Sequence, residues 1–414
     1  MGHLETLGLR DLMMISVENA RNKINASMPL MSLEQIGLPQ ALGRVLGEDL
    51  MARRTQPPKP VSSMDGYAAK IDDLLSIPTK LKIVGEVPAG TYYDGQIKEG
   101  ESVRIFTGAP VPKGADLIII QENTRQDGEF VEIIKGKPAV GQFIRPAGLD
   151  FNKGEILLKA GRTLTSRDIG LIAGMNIPWL MVRRRPKIAI LATGDEIVMP
   201  GNFLGSNQIV SSNGLALSAF INASGGETID LGIATDTADD LQSLAKQAKN
   251  VDMLVTCGGA SVGEHDLVQK ALSKIGLEIE FWRIAMRPGK PLMFGKIGAT
   301  KMLGLPGNPV SAFVCAIIFI GPALNSMLGT KNGNSIEPET AILTKPLKEN
   351  DEREDYLRAI LKRDSQGTLI ATPFDKQDSS IFSDLAHADG LVIRSPYATS
   401  AKKGDIVKVI SLSV

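Results

Sequence analysis

The sequence predicts a multidomain α/β plus β protein with four parts. They are a central, mainly parallel α/β domain, an inserted β-module, a small helical and mixed linker domain, and a C-terminal β-barrel-like domain. Three observations predict this. A chain of 414 residues exceeds the size at which one hydrophobic core stops growing, so two to four domains of roughly 100–150 residues are expected. Residues 185–328 alternate apolar strand runs with amphipathic helical stretches, the pattern of a parallel sheet covered on both faces. Two flanking regions instead break into short β-rich runs separated at close spacing by Gly, Pro and Asp.

MISVENARNKINASMPLMSLEQIGLPQALGRVLGEDL (14–50) begins as a helix, breaks at Pro29 and continues in a second segment, which together read as a small helical unit. Pro57, Pro58 and Pro60 fit neither a regular helix nor a central strand, so a boundary falls there. LKIVGEV (81–87), ESVRIFTG (101–108), ADLIIIQE (115–122) and EFVEIIK (129–135) are strands of a compact all-β module assigned to 61–149. Mixed text returns with TSRDIGLIAGMN (165–176), a helix capped by Thr165 or Ser166. The β-module therefore interrupts one domain made of 8–60 and 150–184.

The α/β domain is assigned to 185–333. KIAILAT (187–193), GETIDLGI (226–233) and VDMLVTC (251–257) are its first strands, and SNGLALSAFINASG (212–225) and DTADDLQSLAKQAKN (236–250) are helices between them. DLVQKALSKIG (266–276), IEFWRIA (279–285), KPLMFGKI (290–297), MLGLP (302–306) and a helix from 309 complete it. After the GTKNGNS linker, the strands TAILTKPL, EDYLRAILKR, GTLIATPF, LVIRSP and DIVKVISL form a β-barrel-like domain over 334–414.

Composition narrows the function. The chain has 46 basic and 46 acidic residues and no long single-sign run, so no nucleic-acid partner is expected. Two cysteines, Cys257 and Cys315, cannot build a disulfide framework, which suits a reducing compartment. The start MGHLETLGLRDLMM lacks the basic and apolar regions of a secretory signal. PVSAFVCAIIFIGPALNSML (309–328) is the one membrane-span candidate, but its Ser, Asn, Gly and two prolines and its lack of basic flanks make it a buried helix. A cytoplasmic protein without membrane contact is expected.

Three loops leave parallel strands on the same side of the sheet, where ligands bind in such folds. They are Thr193-Gly194-Asp195-Glu196, TCGGASVGEHD (256–266) and Leu305-Pro306-Gly307-Asn308-Pro309. Glycine-bearing loops there offer N–H donors, and Asp195, Glu196 and Asp266 could hold a magnesium ion between phosphate oxygens. The second loop contains G-x-S-x-G, but a hydrolase of that type needs a later acid and histidine, and only His387 stands in that order. A zinc cage from Cys257, Glu264, His265 and Asp266 also fails, because His3 and His387 are the only other histidines. Arg283, Arg287 and Lys290 in FWRIAMRPGKPLMFG read as an anion clamp or as exposed turn charges. In the β-module, Asp65-Gly66 reads as turn chemistry, and Arg145 with Asp150 as an interdomain ion pair.

SMDGYA, RIFTGAPVPKGAD, IRPAGLD, LATGDEIV, TCGGASVGEHD, MRPGKPLMFG and GLPGNPVSAF, in this order, resemble the molybdopterin molybdenumtransferase family, whose eukaryotic relatives include the gephyrin E domain. The resemblance implies an enzyme of molybdenum cofactor synthesis that inserts molybdate into adenylylated molybdopterin and, with Mg²⁺, releases AMP. It also implies a homodimer whose site lies between the α/β domain of one subunit and the β-module of the other, with contacts to the molybdopterin adenylyltransferase and to apo molybdoenzymes. The implied catalytic residues are Asp65, Thr107, Asp150, Glu196, Asp236 and Asp266, with Glu196 and Asp266 on the metal. Arg145, Arg283, Arg287, Lys290, Pro306 and Pro309 would bind substrate. Gly258, Gly259 and Ser261 are proposed to hold its pyrophosphate. Arg358, Ser380 and Ser383 resemble molybdate-binding positions. Where many relatives have lysines, this chain has Arg283 and Arg287, which keep the charge but change its geometry. Two other functions remain open: adenylylation of molybdopterin from ATP, whose enzymes share the α/β fold, and a non-catalytic scaffold of gephyrin type.

Overall fold

The structure is a computed structural model that describes residues 14–248, 250–258, 265–331 and 337–412, with His265 and Asp266 described in backbone only. Its central sheet has six strands in the order Glu227–Ala234, Lys187–Thr193, Met253–Cys257, Thr300–Leu305, Met293–Ile297 and Leu277–Trp282. The first four are parallel, and Met293–Ile297 runs against both its neighbours. Side chains alternate across the sheet with the period of two that a pleated strand imposes. Ile188, Ile190, Val255, Leu303 and Leu305 enter one core, while Ala189, Leu191, Leu254 and Met302 enter the other. Asn213–Ala223 and the helix beginning at Pro309 cover the first face, and Ala238–Ala245 and His265–Ser273 the second.

The apolar stretch 309–328 lies in that first core, with Val314, Phe319, Ala323 and Met327 fully enclosed. It is apolar on every side because it is covered on every side. It passes through a π-turn at Ala316–Ile320 just before Pro322. A proline there has no N–H to donate and would crowd the carbonyl of Ile318, and the wider turn accommodates both effects.

The N-terminal region differs from the small helical unit expected. Val17–Ser27 is a helix, capped by the Ser16 hydroxyl accepting from the Asn19 N–H at 3.2 Å. Its buried stripe of Val17, Ala20 and Ile24 packs on the central sheet's core. The segment after Pro29 forms a strand, Leu33–Gly37, antiparallel to Trp179–Arg183. A three-residue stripe specifies a face but not the surface it meets, so periodicity alone misplaced this helix.

A separate core draws on both stretches that flank the β-module, with Leu46, Leu50 and Ala52 packed against Phe151, Leu164, Ile172 and Val182. Its helix Ser166–Gly174 is capped by Thr165 in a reciprocal box with Asp168. The Asp168 carboxylate accepts from the Thr165 N–H and hydroxyl, each at 2.8 Å, and from Arg162 Nε at 3.0 Å. Burial opposes its charge, yet these donors hold the carboxyl below its ordinary range. Asp168→Ala should therefore cost about 1–3 kcal/mol of stability, read from chemical denaturation. In the wild type, the contribution should be full above the ordinary carboxylate pKa and fade as pH falls through the depressed value.

The β-module is a six-stranded sheet in the order Leu117–Ile120, Gly66–Ala69, Glu101–Ile105, Thr79–Val87, Phe130–Ile133 and Thr124–Asp127. At the C-terminus, Glu354–Arg363 pairs with both Leu369–Pro373 and Gly390–Arg394. With Glu339–Leu343 and Ile406–Ser411 this closes a barrel and leaves no open edge within the ring. The short strand Met286–Arg287 adds to it in parallel at Glu354 and Asp355, which joins the barrel to the α/β domain.

Candidate active site

The register of the central sheet explains how one cavity forms. Ala192 pairs with Cys257, and Cys257 with Leu305, so the three parallel strands end level and their loops leave at one rim. All three loops line a cavity of about 510 Å³ through residues that include Gly194, Glu196, Gly258, Pro306 and Pro309. Asp236 and, from the C-terminal barrel, Ser380 also line it. Gly258 is required at the crossing: its φ is +97°, and an added Cβ would sit 2.5 Å from the Thr193 carbonyl oxygen.

The wall is polar and incompletely paired. Among the described residues the Thr193 hydroxyl, buried beneath Gly258, finds no hydrogen-bond partner, and Thr193 is only 2 % exposed. Asn308 caps the long helix 309–328 without a side-chain cap bond. Its Nδ2 instead donates to Ser379 Oγ at 2.9 Å, and the Asn213 amide donates to the Gly307 carbonyl at 2.7 Å. Pro309 has no N–H, and the Val310 and Ala312 N–H groups donate to the Ser379 and Asn308 carbonyls at 3.1 and 2.9 Å, so this helix start favours an anion at the cavity through its dipole rather than through a set of open donors. Cys257 also lines it, but burial pushes its thiol up to about 12, so it is a neutral small side chain at ordinary pH.

Asp195 and Asp236 lock their loops together: Asp236 N–H donates to Asp195 Oδ1 at 3.0 Å, and Asp195 N–H to Asp236 Oδ2 at 3.4 Å. Glu196 then lies over Gly194, where an added Cβ would come within 2.6 Å of its Oε2. Glu196 and Asp236 thus present hard oxygen donors at one cavity. Mg²⁺ takes one or two carboxylates together with substrate phosphates, which this donor set fits. Gly259, Ser261 and the Asp266 side chain lie outside the described residues.

The arginines are placed differently from a rim clamp. Arg287 donates to Asp351 Oδ2 at 3.0 Å, Asn350 Oδ1 at 2.9 Å and Asp355 Oδ2 at 2.5 Å, all in the C-terminal barrel region. Those partners neutralise it, so the expected anion clamp of Arg287 with Lys290 is not formed. Lys290 is exposed, and its neighbour Pro291 lines the cavity. Arg283 adopts φ +74° and stacks its guanidinium 4.2 Å from the Trp282 ring centroid. Arg358, 1 % exposed, donates to Gln377 Oε1, the Ile381 carbonyl and the Lys376 carbonyl. It braces the loop that carries Ser380. Ser383 lies in the helix Phe382–Ala386, where its carbonyl accepts from the His387 backbone N–H at 3.2 Å.

The β-module residues gather elsewhere in the same chain. Asp65 Oδ1 accepts from the Thr107 N–H and hydroxyl, both at 2.8 Å, and the backbone donor is the main reason its carboxyl lies below the usual range. Arg104 packs against Tyr67 and Phe106, each ring centroid 4.9 Å away. Arg145 and Asp150 line a second cleft of about 690 Å³ with Lys59 and Tyr92. Sequence reasoning placed Thr193 and Asn308 in the rim loops without giving either a role, and it missed Asn213, Ser379 and the partners of Arg287. Asn308, at the cap position of GLPGNP, carried a visible signal; the missed residues are joined to the site only by folding.

Family models match three consecutive regions: "MoeA N-terminal region (domain I and II)" over 15–175, "Probable molybdopterin binding domain" over 189–326 and "MoeA C-terminal region (domain IV)" over 340–412. The molybdopterin molybdenumtransferase of Haemophilus influenzae is 32 % identical over 399 residues, covering 96 % of this chain and 98 % of that one. That of Nostoc sp. is 35 % identical over 332 residues, covering 77 % and 76 %. The crystal structure of a molybdopterin biosynthesis moeA protein from Pyrococcus horikosii superposes with a TM-score of 0.83 at 30 % identity, covering 97 % of this chain and all of that one.

Proposed function

We propose, from the premise that this chain belongs to the molybdopterin molybdenumtransferase family, how its cavity performs the family's reaction. The chain is a transferase of molybdenum cofactor biosynthesis that inserts molybdate into the dithiolene of adenylylated molybdopterin and releases AMP. The observation that carries the site assignment is the cavity at the level ends of three parallel strands, with Glu196 and Asp236 in its lining.

The positive end of the helix that starts at Pro309 attracts the phosphate oxygens of the substrate, and the close crossing of Gly258 over Thr193 leaves room for them at the rim. Glu196 and Asp236 would hold Mg²⁺, which would supply positive charge to offset that of the phosphoanhydride. Ser380 shapes the barrel side of the wall that faces the molybdate oxyanion, with its own hydroxyl and N–H held by Asp378 Oδ1 at 2.6 and 2.9 Å. The thiolates that receive molybdenum belong to the substrate, which agrees with a donor set of oxygens rather than Cys and His.

The second cleft supports a shared site. Arg145 and Asp150 line a different cavity from Glu196 and Asp236 within one chain. A homodimer in which the β-module of one subunit faces the rim of the other would bring both sets to one substrate. Ile209 and Val210, which line the rim cavity and are exposed, suit coverage by a partner. The adenylyltransferase that makes the substrate and the apo enzymes that take the product would dock in the cytoplasm around this dimer.

Incubation with adenylylated molybdopterin, Mg²⁺ and molybdate should give molybdate-dependent AMP release and reconstitute an apo molybdoenzyme. EDTA should stop the release and added Mg²⁺ restore it. Absence of molybdate-dependent AMP would overturn the reading, and formation of adenylylated molybdopterin from ATP would favour the adenylyltransferase alternative.

A further inference from the structure

We infer that Arg287 is a positioning residue that anchors the C-terminal barrel on the α/β domain so that Ser380 forms part of the cavity wall. The consequence for turnover rests on the function proposed above; the anchoring itself does not.

Two features argue against Arg287 as a direct ligand for a dianion. Its guanidinium already meets two carboxylates, Asp351 and Asp355, and the Asn350 amide oxygen. Asp351 is also paired with Arg353 at 2.6 Å, so the four charged groups sum to formal zero. Such a cluster offers a dianion little attraction. Asp355 is 6 % exposed, and burial pushes its carboxyl up. Its ionised form depends on Arg287, and removing that partner would leave a buried charge uncompensated.

The anchor is backbone as well as side chain. Arg287 pairs with Asp355 in parallel register, and the Glu354 N–H donates to the Ala285 carbonyl at 2.9 Å. Three residues further along the same strand, Arg358 donates to the Ile381 carbonyl at 2.7 Å and the Lys376 carbonyl at 3.1 Å. Strand Glu354–Arg363 therefore carries the α/β anchor and the brace of the 376–381 loop a few residues apart. That loop meets the rim directly: Val310 N–H donates to the Ser379 carbonyl at 3.1 Å, and Asn308 to the Ser379 hydroxyl. Ser380, next in the chain, lines the cavity. A rigid path thus runs from Arg287 through the strand to Ser380. Arginine suits this role because its planar fork reaches three acceptors at once, whereas an ammonium is a point charge on a flexible stem.

The test compares Arg287→Ala, Asp351→Asn/Asp355→Asn and their combination in the full-length chain, with Asp351→Asn alone as the mildest variant. Hydrogen exchange at the Glu354 and Val310 amides should speed up about tenfold in Arg287→Ala and in the double Asn variant, in line with coupled contacts of this kind. Asp351→Asn alone should speed it less. The KM for molybdate should rise by a similar factor in both, with kcat changed less, and the combined variant should be no worse than either. If Arg287→Ala alone raises the KM, while the Asn variants leave it unchanged and their effects multiply, Arg287 contacts the anion and the inference fails. Unchanged exchange in Arg287→Ala also overturns it. Should the wild type show no molybdate-dependent AMP release, the proposed function fails, and the exchange measurements still decide whether Arg287 is the anchor.

Discussion

Glu196→Gln is expected to reduce molybdate-dependent AMP release at least about a hundredfold, the scale seen when a group that stabilises developing charge is removed from a preorganised site. The substitution keeps size and shape and removes one negative charge. Glu196 is exposed on its loop beside Gly194 and belongs to no core cluster, so the melting transition should move by no more than about 2 °C. The informative result is the combination of lost turnover and kept fold. If Glu196→Gln retains more than about a third of wild-type turnover, a margin too small for a residue in that role, Glu196 does not hold the metal or the reacting phosphate. Higher Mg²⁺ should partly restore the rate if the lost carboxylate is a metal donor. Insensitivity to Mg²⁺ would place it on the substrate instead.

Gly66→Ala should have the largest effect on structure. Gly66 lies in a central strand of the β-module, paired with Ile105 on one side and Ile120 on the other. An added Cβ would come 1.9 Å from the Ile119 carbonyl oxygen and 2.8 Å from its carbon, both backbone atoms that no rotamer change can move. The strands would have to separate, at a cost of about 3 kcal/mol or more. Exchange should rise throughout 66–69 and 101–105 while the central sheet keeps its protection. Asp65 would lose its grip on Thr107 as well, because both residues flank these strands. Gly170→Ala is the control: Gly170 is helical, nothing lies within 4 Å of its added Cβ, and a gain of up to about 1 kcal/mol is expected. Wild-type protection in Gly66→Ala would show that the strand spacing is softer than the packing implies.

Much of the architecture was legible because it rests on local periodicity. The alternation in KIAILAT and VDMLVTC separates Ile188 and Val255 from Ala189 and Leu254, and these pairs do enter opposite cores. The three rim loops were legible for the same reason, since parallel strands joined by helices must all end on one side. The Val17–Ser27 helix was recognisable, but its packing on the α/β core was not, because an apolar stripe does not name the surface it will cover.

By itself, the sequence determined the family, the α/β rim and the identity of Gly258, Glu196 and Pro306 as rim residues. Those conclusions depend on strand order and on ordered motifs, both carried along the chain. Only the tertiary structure decided what the charges do. Arg287 reads from sequence as a free cation beside Lys290, yet Asp351 and Asp355, more than sixty residues away, neutralise it. Arg358 likewise reads as an anion ligand, and folding turns its donors to the carbonyls of Lys376 and Ile381. Hydrophobic patterning is a property of neighbours in sequence, whereas a charge takes its function from whichever groups folding brings within a few ångströms of it.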